Sequence, residues 1–418
     1  MKKYLSLFLV LLLLAALAGC AGEAAEPVAP ASEPALSTPE PTPAPSPTPE
    51  PTPVPEPPAT ELTASLSLTD SIGGYTPLLL DGDHSTYLSY RRGDSLTVSG
   101  PEPIHALYLK WYTPPEKYVV TVGRRNITAG IHGYLHEFLL LPDDGTEITL
   151  DMKGLSQLCE LRAFTDGALP ADVQVWEEPC HQADVLIFSA HGDDDVIFFG
   201  AAAVDFAARG LDVQICYLVH HYDWQPRPQE LLDALWAMGI RHYPVIGPFP
   251  DHYVLSLEDA RGRFGEEDVI AYEVEQLRRF RPSVVLGHDL EGEYGHGAHM
   301  LCAEALTQAV ELAADPEVCP ESAEAYGPWD TPKLYLHMYG DAPIVLDVET
   351  PLEAFAGRTA FQVAGDAMLC HESQLVYSHR PQLDDPEFPR YDCRVFGLYR
   401  STVGPDTGND PMEHIPFG

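Results

Sequence analysis

A histidine and three consecutive aspartates lie between two apolar runs near the middle of the 418-residue chain. The stretch FSAHGDDDVIFFG contains His191 and Asp193–Asp195. Because burying unpaired carboxylates costs several kcal/mol each, charges in these surroundings must be paired or must bind a cation. His191 and Asp194 are three residues apart and offer an imidazole nitrogen and a carboxylate oxygen, which are ligands that suit zinc. The stretch therefore predicts a metal site.

A second group of histidines occurs later in the chain. The stretch GHDLEGEYGHGAHM contains His288, His296 and His299. An acidic chain with 17 histidines contains about one HxxD pattern by chance, so the first stretch alone is weak evidence. Both stretches follow apolar segments typical of strands, and loops at one edge of a sheet can converge on one ion. Together they predict one divalent ion, zinc, per chain.

The elements that must position these residues alternate between strand and helix over residues 180–418. Strand segments such as ADVLIFSA, LDVQICYLV, HYPVIG and SVVLGHD alternate with helical stretches such as DVIFFGAAAVDFAARG and RPQELLDALWAMGI. This order predicts an α/β domain with a Rossmann-like parallel sheet and helices on both faces. No GxGxxG follows the first strand, so a dinucleotide is not the expected ligand.

Residues 61–168 have a different pattern, with short alternating segments separated by Gly, Pro and Asp. This pattern predicts a smaller all-β sandwich that precedes the α/β domain. The sequence LLLDGDHSTYLSY followed by ALYLKWYTPPEKYVVTV resembles discoidin-like, galactose-binding-like modules. Such a module has two possible roles, which are carbohydrate binding and packing against the neighbouring domain.

The N-terminal 60 residues are typical of a processed and tethered segment. Lys2 and Lys3 precede an apolar run that is too short for a comfortable membrane span. Leu17-Ala18-Gly19-Cys20 resembles a bacterial lipoprotein signal. The resemblance implies cleavage directly before Cys20, lipidation of Cys20 and a location at the outer face of the cell membrane. An ordinary secretory signal is the alternative. Residues 21–60 are Pro-rich and predict an extended, disordered linker.

The two histidine-containing stretches resemble the motifs of the PIG-L/LmbE family of zinc-dependent N-deacetylases, whose members carry an AHPDDE-like and a GHPDH-like motif. Here these motifs read Ala190 to Asp195 and Gly295 to His299. The similarity covers most of residues 180–405. It also includes Arg227, Glu230, Ala234, Gly239 and the segments CHESQ and FGLYRSTVGPD.

The resemblance implies a role for each matching residue. His191, Asp194 and His299 would bind zinc, and Asp193 would act as the general base. His296 would stabilise the oxyanion or protonate the leaving amine. The same resemblance assigns contacts with sugar hydroxyls to Arg227 and Asp251, and the aromatic side chains of Tyr222 and Trp224 offer a stacking face for a sugar.

Three positions depart from the family motifs. Gly192 replaces a proline, which should loosen the loop without removing a ligand. Asp195 replaces a glutamate and shortens a side chain suited to hydrogen bonding around the ligands. Ala298 replaces an aspartate, so a carboxylate that could orient a neighbouring histidine is missing.

These observations favour a membrane-anchored, extracytoplasmic zinc N-deacetylase that removes acetyl from an N-acetylglucosamine-type glycan or glycolipid. Two alternatives remain open. One is a zinc amidase for another acyl amide, such as a thiol-sugar conjugate, and the other is an inactive carbohydrate-binding lipoprotein. The formal net charge of -39 repels phosphate backbones, so nucleic acid is not an expected partner.

Overall fold

The computed structural model describes residues 56–377, 383 and 388–416. The predicted signal with Cys20 and most of the predicted linker lie outside the described residues. Pro55–Gly418 forms one compact unit. None of the helices in the described part of the chain is long and apolar enough to cross a membrane.

Within the described residues, seven strands pair antiparallel in one sheet. Their order is β2-β7-β3-β6-β4-β5, and β1 pairs with β3. Alternate residues along these strands, such as Leu96 and Val98, are fully buried, which gives the sheet one apolar face. The strands are β1 (Ser67–Asp70), β2 (Leu88–Tyr90), β3 (Ser95–Trp111), β4 (Tyr118–Val122), β5 (Arg125–Ala129), β6 (His136–Met152) and β7 (Ser156–Phe164).

Two of these strands are longer than the sequence pattern predicts. The Gly-Pro segment at residues 100–103 and the Pro-Asp-Gly segment at residues 142–145 mark predicted breaks between short strands. In the structure, β3 and β6 continue through these segments, and each strand is 17 residues long. The register between them shifts twice between Ser99 and Ala106. The turn-forming residues therefore make bulges in long strands, because a bulge tolerates Pro and Gly without ending the ladder.

The second sheet is mixed and contains six strands of the described chain, in the order β14-β17-β13-β12-β8-β9. The strands β9, β8, β12 and β13 are parallel, as predicted, but β17 is antiparallel to its neighbours β13 and β14. An antiparallel strand near the edge of a parallel sheet is common. The strands are β8 (Val185–Ser189), β9 (Val213–Tyr217), β10 (Val219–His220), β11 (Phe249–Pro250), β12 (Val284–Gly287), β13 (Lys333–His337), β14 (Pro343–Val345), β15 (Pro351–Leu352), β16 (Arg358–Thr359) and β17 (Val395–Ser401); β10 pairs with β11 and β15 with β16.

Helices cover both faces of the second sheet. Val185 and Ile187 of β8 join the apolar core that includes α2 and α8, whereas Leu186 and Phe188 join the core that includes α5 and α6. The predicted helix over residues 195–210 is divided, and the predicted strand HYPVIG forms only isolated bridges. The helices are α1 (Asp194–Ile197), α2 (Gly200–Ala208), α3 (Arg227–Ala237), α4 (Leu257–Ala260), α5 (Glu266–Phe280), α6 (Gly297–Leu312), α7 (Pro320–Tyr326) and α8 (Ala360–Met368).

The strand order opens a crevice at the carboxyl ends of β8 and β12. The chain leaves β8 for β9 on one side and later reaches β12 on the other side of β8. The loops after β8 and β12 therefore diverge to opposite faces, and ligands of open α/β sheets bind in such a crevice. Both histidine-containing stretches of the sequence lie here.

The first sheet contacts α3 through buried polar groups. Gln229 of α3 donates its amide N–H to the backbone oxygen of Trp111 at 2.7 Å, and its Oε1 lies 2.6 Å from Nε2 of His136. The other ring nitrogen of His136 lies 2.9 Å from the hydroxyl of Tyr108 and 2.7 Å from Oε1 of Gln174. Burial lowers the pKa of His136 well below its usual value. The neutral ring thus donates to Gln229 and accepts from Tyr108.

Candidate metal centre and active site

His191 and Asp194 lie just beyond the carboxyl end of β8 and are both buried. The Oδ2 atom of Asp194 lies 2.8 Å from Nδ1 of His191 and also accepts the backbone N–H of His191 at 3.0 Å. β8 ends at Ser189 and α1 begins at Asp194, so the loop between them is short. The two side chains predicted to bind metal therefore face the same point.

His299 reaches this point from the first turn of α6. Its Nε2 atom lies 3.0 Å from Oδ2 of Asp194 and 3.2 Å from Nδ1 of His191. The ring is fully buried. The structure therefore brings together the three side chains that the sequence predicts as ligands, although His299 is more than a hundred residues from the other two along the chain.

The triangle formed by these atoms fits a tetrahedral metal ion. Bonds of about 2.0–2.2 Å at tetrahedral angles place ligand atoms about 3.3–3.6 Å apart. The edges of the triangle measure 2.8, 3.0 and 3.2 Å, so an outward shift of a few tenths of an ångström admits an ion. Nε2 of His191, on the far side of its ring, has no hydrogen-bond partner among the described residues.

The charges around His299 also favour a cation. Burial lowers the pKa of His299, but Asp194 and Glu293 more than offset this effect and raise it to about 10. Burial raises the pKa of Asp194, but His299 and His191 outweigh it and hold the pKa well below its usual value. The carboxylates thus stabilise positive charge at this point, and a metal ion would replace the proton that His299 otherwise binds.

Asp193, the predicted base, lies beside this cluster and contacts an arginine. Nη2 of Arg227 donates to Oδ1 of Asp193 at 3.0 Å and to the backbone oxygen of Gly192 at 3.3 Å. Nη1 of Arg227 lies 3.7 Å from Oδ2 of Asp251, whose Oδ1 lies 3.6 Å from Nε2 of His191. The two predicted substrate contacts therefore border the cluster, and Arg227 also holds the carboxylate of the predicted base.

The position of Asp251 follows from a short ladder that the sequence does not reveal. His220 of β10 pairs with Pro250 of β11, which places Asp251 at the carboxyl edge of the sheet. His221, which the sequence analysis missed, also reaches this edge. Its Nε2 accepts the N–H of Gly192 at 3.4 Å, and its Nδ1 lies 3.5 Å from Oδ2 of Asp251. Burial lowers the pKa of His221 well below its usual value, so its ring is neutral and accepts this bond.

His296 lies over the cluster, with ring centroids 4.8 Å from His191 and 4.7 Å from His299. Burial, together with His191 and His299, lowers its pKa to about 3. Its Nδ1 has no hydrogen-bond partner in the part of the chain that the structure describes. The ring is thus neutral in the absence of a metal ion, and it can still donate one N–H to an oxygen atom.

Aromatic side chains border the opening of the crevice. The guanidinium carbon of Arg227 lies 5.3 Å from the ring centroid of Trp224, which is 47% exposed. The rings of Tyr253 and Tyr294 lie 5.4 Å and 5.7 Å from His296, and both tyrosines are exposed. Tyr222, in contrast, is half-buried. Of the two aromatic residues in the predicted stacking face, Trp224 is therefore the more accessible.

Comparison with known proteins identifies the family. Residues 186–310 match the model of the PIG-L family, which is described as GlcNAc-PI de-N-acetylase. The chain is 31% identical over 274 residues to 1D-myo-inositol 2-acetamido-2-deoxy-alpha-D-glucopyranoside deacetylase 2 of Saccharopolyspora erythraea, and the match covers 56% of this chain and 98% of that protein. The chain belongs to the PIG-L family. Its homologues are N-acetylglucosaminyl deacetylases, which hydrolyse amide carbon–nitrogen bonds.

Other similar proteins match over a smaller share of this chain. Deacetylase 1 of the same description from Catenulispora acidiphila is 28% identical over 178 residues, which is 36% of this chain and about half (54%) of the relative. The solved structure of N,N'-diacetylchitobiose deacetylase from Pyrococcus horikoshii has 15% identity and a TM-score of 0.34, and it covers 46% of this chain and 71% of that chain.

The departures from the PIG-L motifs have distinct surroundings. A Cβ atom at Gly192 would lie 2.5 Å from Cδ1 of Leu231, so the glycine lets α3 approach the loop closely. Burial raises the pKa of Asp195 well above its usual value, and Asp193 raises it further. Ala298 is fully buried among apolar residues. The glycine thus contributes to packing, which the sequence analysis did not predict.

The sequence analysis also missed Glu293, which lies within the second stretch between the predicted strand and the PIG-L histidines. Its side chain is fully buried, and its Oε2 lies 2.6 Å from Nδ1 of His299. Its Oε1 lies 3.0 Å from Nδ1 of His288 and 3.1 Å from Nδ1 of His337. Burial raises the pKa of Glu293, but His288 and His299 hold it well below its usual value. Its position three residues before His296 was the signal in the sequence that an acidic side chain lies near the candidate ligands.

Two further segments that carry the PIG-L resemblance meet in the structure. Glu230 of α3 accepts the backbone N–H of Ser373 at 2.8 Å and its hydroxyl at 2.6 Å. Ser373 belongs to the CHESQ segment that follows α8. These bonds fix the start of α3, which carries Arg227, against the C-terminal part of the chain.

Proposed function

We propose that this protein is a zinc-dependent N-deacetylase that removes acetyl from an N-acetylglucosamine-type glycan or glycolipid. The observation that carries the proposal is the triangle of His191, Asp194 and His299, with Asp193 beside it. Two imidazole nitrogens and one carboxylate oxygen form a ligand set that leaves a position for water and substrate, as catalytic zinc sites require.

The residues around the triangle divide the remaining chemistry. When bound, a zinc ion would supply a Lewis acid that polarises the amide carbonyl and makes water more acidic. Asp193 accepts a proton from the attacking water, and Arg227 holds this carboxylate in place at 3.0 Å. His296, whose ring is neutral, donates its N–H to the carbonyl oxygen as negative charge develops there, and the proton that Asp193 takes from the water passes to the leaving amine.

The crevice also offers groups that suit a sugar. Arg227 and Asp251 present charged hydrogen-bonding groups beside the cluster. Trp224 presents an exposed ring that can stack on a sugar face. The relatives reported above, whose names describe deacetylation of a glucosamine derivative, support this class of substrate. A zinc amidase for another acyl amide, such as a thiol-sugar conjugate, is the alternative that substrate profiling separates.

The proposal extends to the cellular location. The lipoprotein-like signal predicts lipidation at Cys20, and the Pro-rich linker would hold the enzyme at the outer face of the membrane. Along the chain, the first sheet, as a galactose-binding-like sandwich, would follow the linker and precede the deacetylase domain of residues 180–418. Glycans and glycolipids of the cell envelope are accessible from this position.

Acetate release tests the proposal. The full-length protein in detergent, loaded with zinc, is assayed with N-acetylglucosamine oligomers, peptidoglycan fragments and glycolipids. Asp193→Asn should lower kcat by about 10²–10⁴-fold because the base is lost, while zinc content stays at one ion per chain. Asp268→Asn, an exposed aspartate in the first turn of α5, is the control and should have wild-type activity.

No release from any substrate by a zinc-loaded preparation would contradict the proposal and favour either a zinc amidase for another acyl amide or the inactive carbohydrate-binding alternative. Equal activity of Asp193→Asn and wild type would retain a deacetylase but remove Asp193 from the role of base.

A further inference from the structure

His299 needs an acceptor for one of its ring protons if its other nitrogen is to face a metal ion. Ala298 cannot provide one, because its side chain is a methyl group among apolar residues. Nδ1 of His299 nevertheless has a hydrogen-bond partner, whereas Nδ1 of His296 has none among the described residues. A carboxylate from another position must therefore orient the ring of His299.

Glu293 occupies that position. With Oε2 at 2.6 Å from Nδ1, this carboxylate accepts the Nδ1–H of His299 and leaves the lone pair of Nε2 directed at Asp194 and His191. A carboxylate behind a ligating histidine fixes its tautomer and makes it a stronger ligand. The contact is fully buried on both sides, so water does not compete for it.

The tautomer of His288 extends the same arrangement to the other metal-binding loop. The backbone N–H of Ala190 donates to Nε2 of His288 at 2.9 Å, so the proton of His288 must lie on Nδ1. This Nδ1–H donates to Oε1 of Glu293 at 3.0 Å. Because Ala190 directly precedes His191, Glu293 fixes the loop of His191 through His288 as well as the ring of His299 directly.

We propose that Glu293 is the positioning residue of the metal site, which sets His299 as a ligand and ties the loop after β8 to the loop after β12. This inference rests on the proposed metal-dependent function. It assigns the orienting carboxylate to a residue outside the family motif, five positions before Ala298.

Zinc affinity provides the test. The full-length protein in detergent is freed of metal and titrated with zinc in competition with a chromophoric chelator. Glu293→Leu, which removes both acceptor oxygens, should weaken zinc affinity by about 10–100-fold. Glu293→Gln keeps one acceptor oxygen, which can accept from His299 or from His288 but not from both, so its zinc affinity should fall by up to about tenfold.

A matched control comes from the first sheet. Glu137 also has a largely buried carboxylate that accepts hydrogen bonds, from Tyr118 at 2.6 Å and from the backbone of Gly130 at 2.7 Å. Glu137→Gln should change thermal stability but leave zinc affinity at the wild-type value. The visible absorption of bound cobalt(II) should shift in Glu293→Gln and not in Glu137→Gln, because only Glu293 contacts a ligand.

The outcomes separate this inference from the proposed function. If wild type binds zinc tightly and Glu293→Gln has the same affinity and the same cobalt spectrum, the inference is wrong and the proposed function stands. If Glu293→Leu does not fold, the zinc affinity and cobalt(II) spectrum of Glu293→Gln still test the inference. If wild type does not bind zinc, the proposed function fails together with the inference.

Discussion

The protein buries histidines in two polar clusters, and the clusters differ in what surrounds the rings. His136, between the first sheet and α3, lies within hydrogen-bond distance of the neutral side chains of Tyr108, Gln174 and Gln229, and a carboxylate oxygen of Asp233 lies farther away, 3.8 Å from its Nδ1. His299, at the carboxyl edge of the second sheet, contacts the carboxylates of Asp194 and Glu293. Burial lowers the pKa of His136 well below its usual value, whereas the carboxylates raise that of His299 to about 10.

The difference separates a structural histidine from a candidate ligand. Each ring nitrogen of His136 has a hydrogen-bond partner, and such a completed neutral network stabilises one packing arrangement. Around His299, an imidazole nitrogen, a carboxylate oxygen and a second imidazole nitrogen face one another within 3.2 Å. Burial alone therefore does not distinguish the two clusters; the chemistry of the neighbouring atoms does.

The largest expected effect comes from removing a ligand. His299→Ala should eliminate stoichiometric zinc binding and lower kcat/KM by about a thousandfold or more, because the metal contributes several kcal/mol to the transition state. Metal analysis and acetate release measure the two effects. If His299→Ala retains one tightly bound zinc ion, the contrast between the two clusters is wrong.

A smaller effect, of a different kind, is expected at the other cluster. His136→Leu removes the ring that bonds Oε1 of Gln229 and the hydroxyl of Tyr108, at a cost of about 1–3 kcal/mol each in the free energy of unfolding. Zinc content and kcat should stay at wild-type values. Urea unfolding measures the loss, with the partly exposed His105→Leu as a control that should change stability much less. Loss of zinc in His136→Leu would show that the two clusters are not independent.

The sequence predicts the triangle of candidate ligands because these residues lie in short motifs at the ends of apolar strands. His191 and Asp194 are three residues apart, and His299 lies in the second motif. Glu293 and His337 were not predicted, because their contacts with the cluster depend on the tautomers of buried rings and on the adjacency of β12 and β13. The closeness of Glu293 to the motif histidines indicates an acid near the site, but no spacing along the chain shows which rings it contacts.

The fold shows the same limit. Apolar runs predict the parallel strands of the second sheet, since such strands are buried on both faces. Turn residues at 100–103 predict a break in β3, but pairing with β6 carries the strand through it. The direction of β17 depends on how the chain returns after α8, which local pattern does not specify. The position of Asp251 likewise depends on the ladder between β10 and β11.

Anomalous diffraction at the zinc edge, from crystals of the zinc-loaded protein, tests the central claim most directly. We predict one strong peak per chain, within about 2.0–2.3 Å of Nδ1 of His191, Oδ2 of Asp194 and Nε2 of His299. A peak elsewhere would contradict the account, for example at the more exposed group of Asp406, Glu413 and His414. So would the absence of a peak at the triangle in protein that contains stoichiometric zinc.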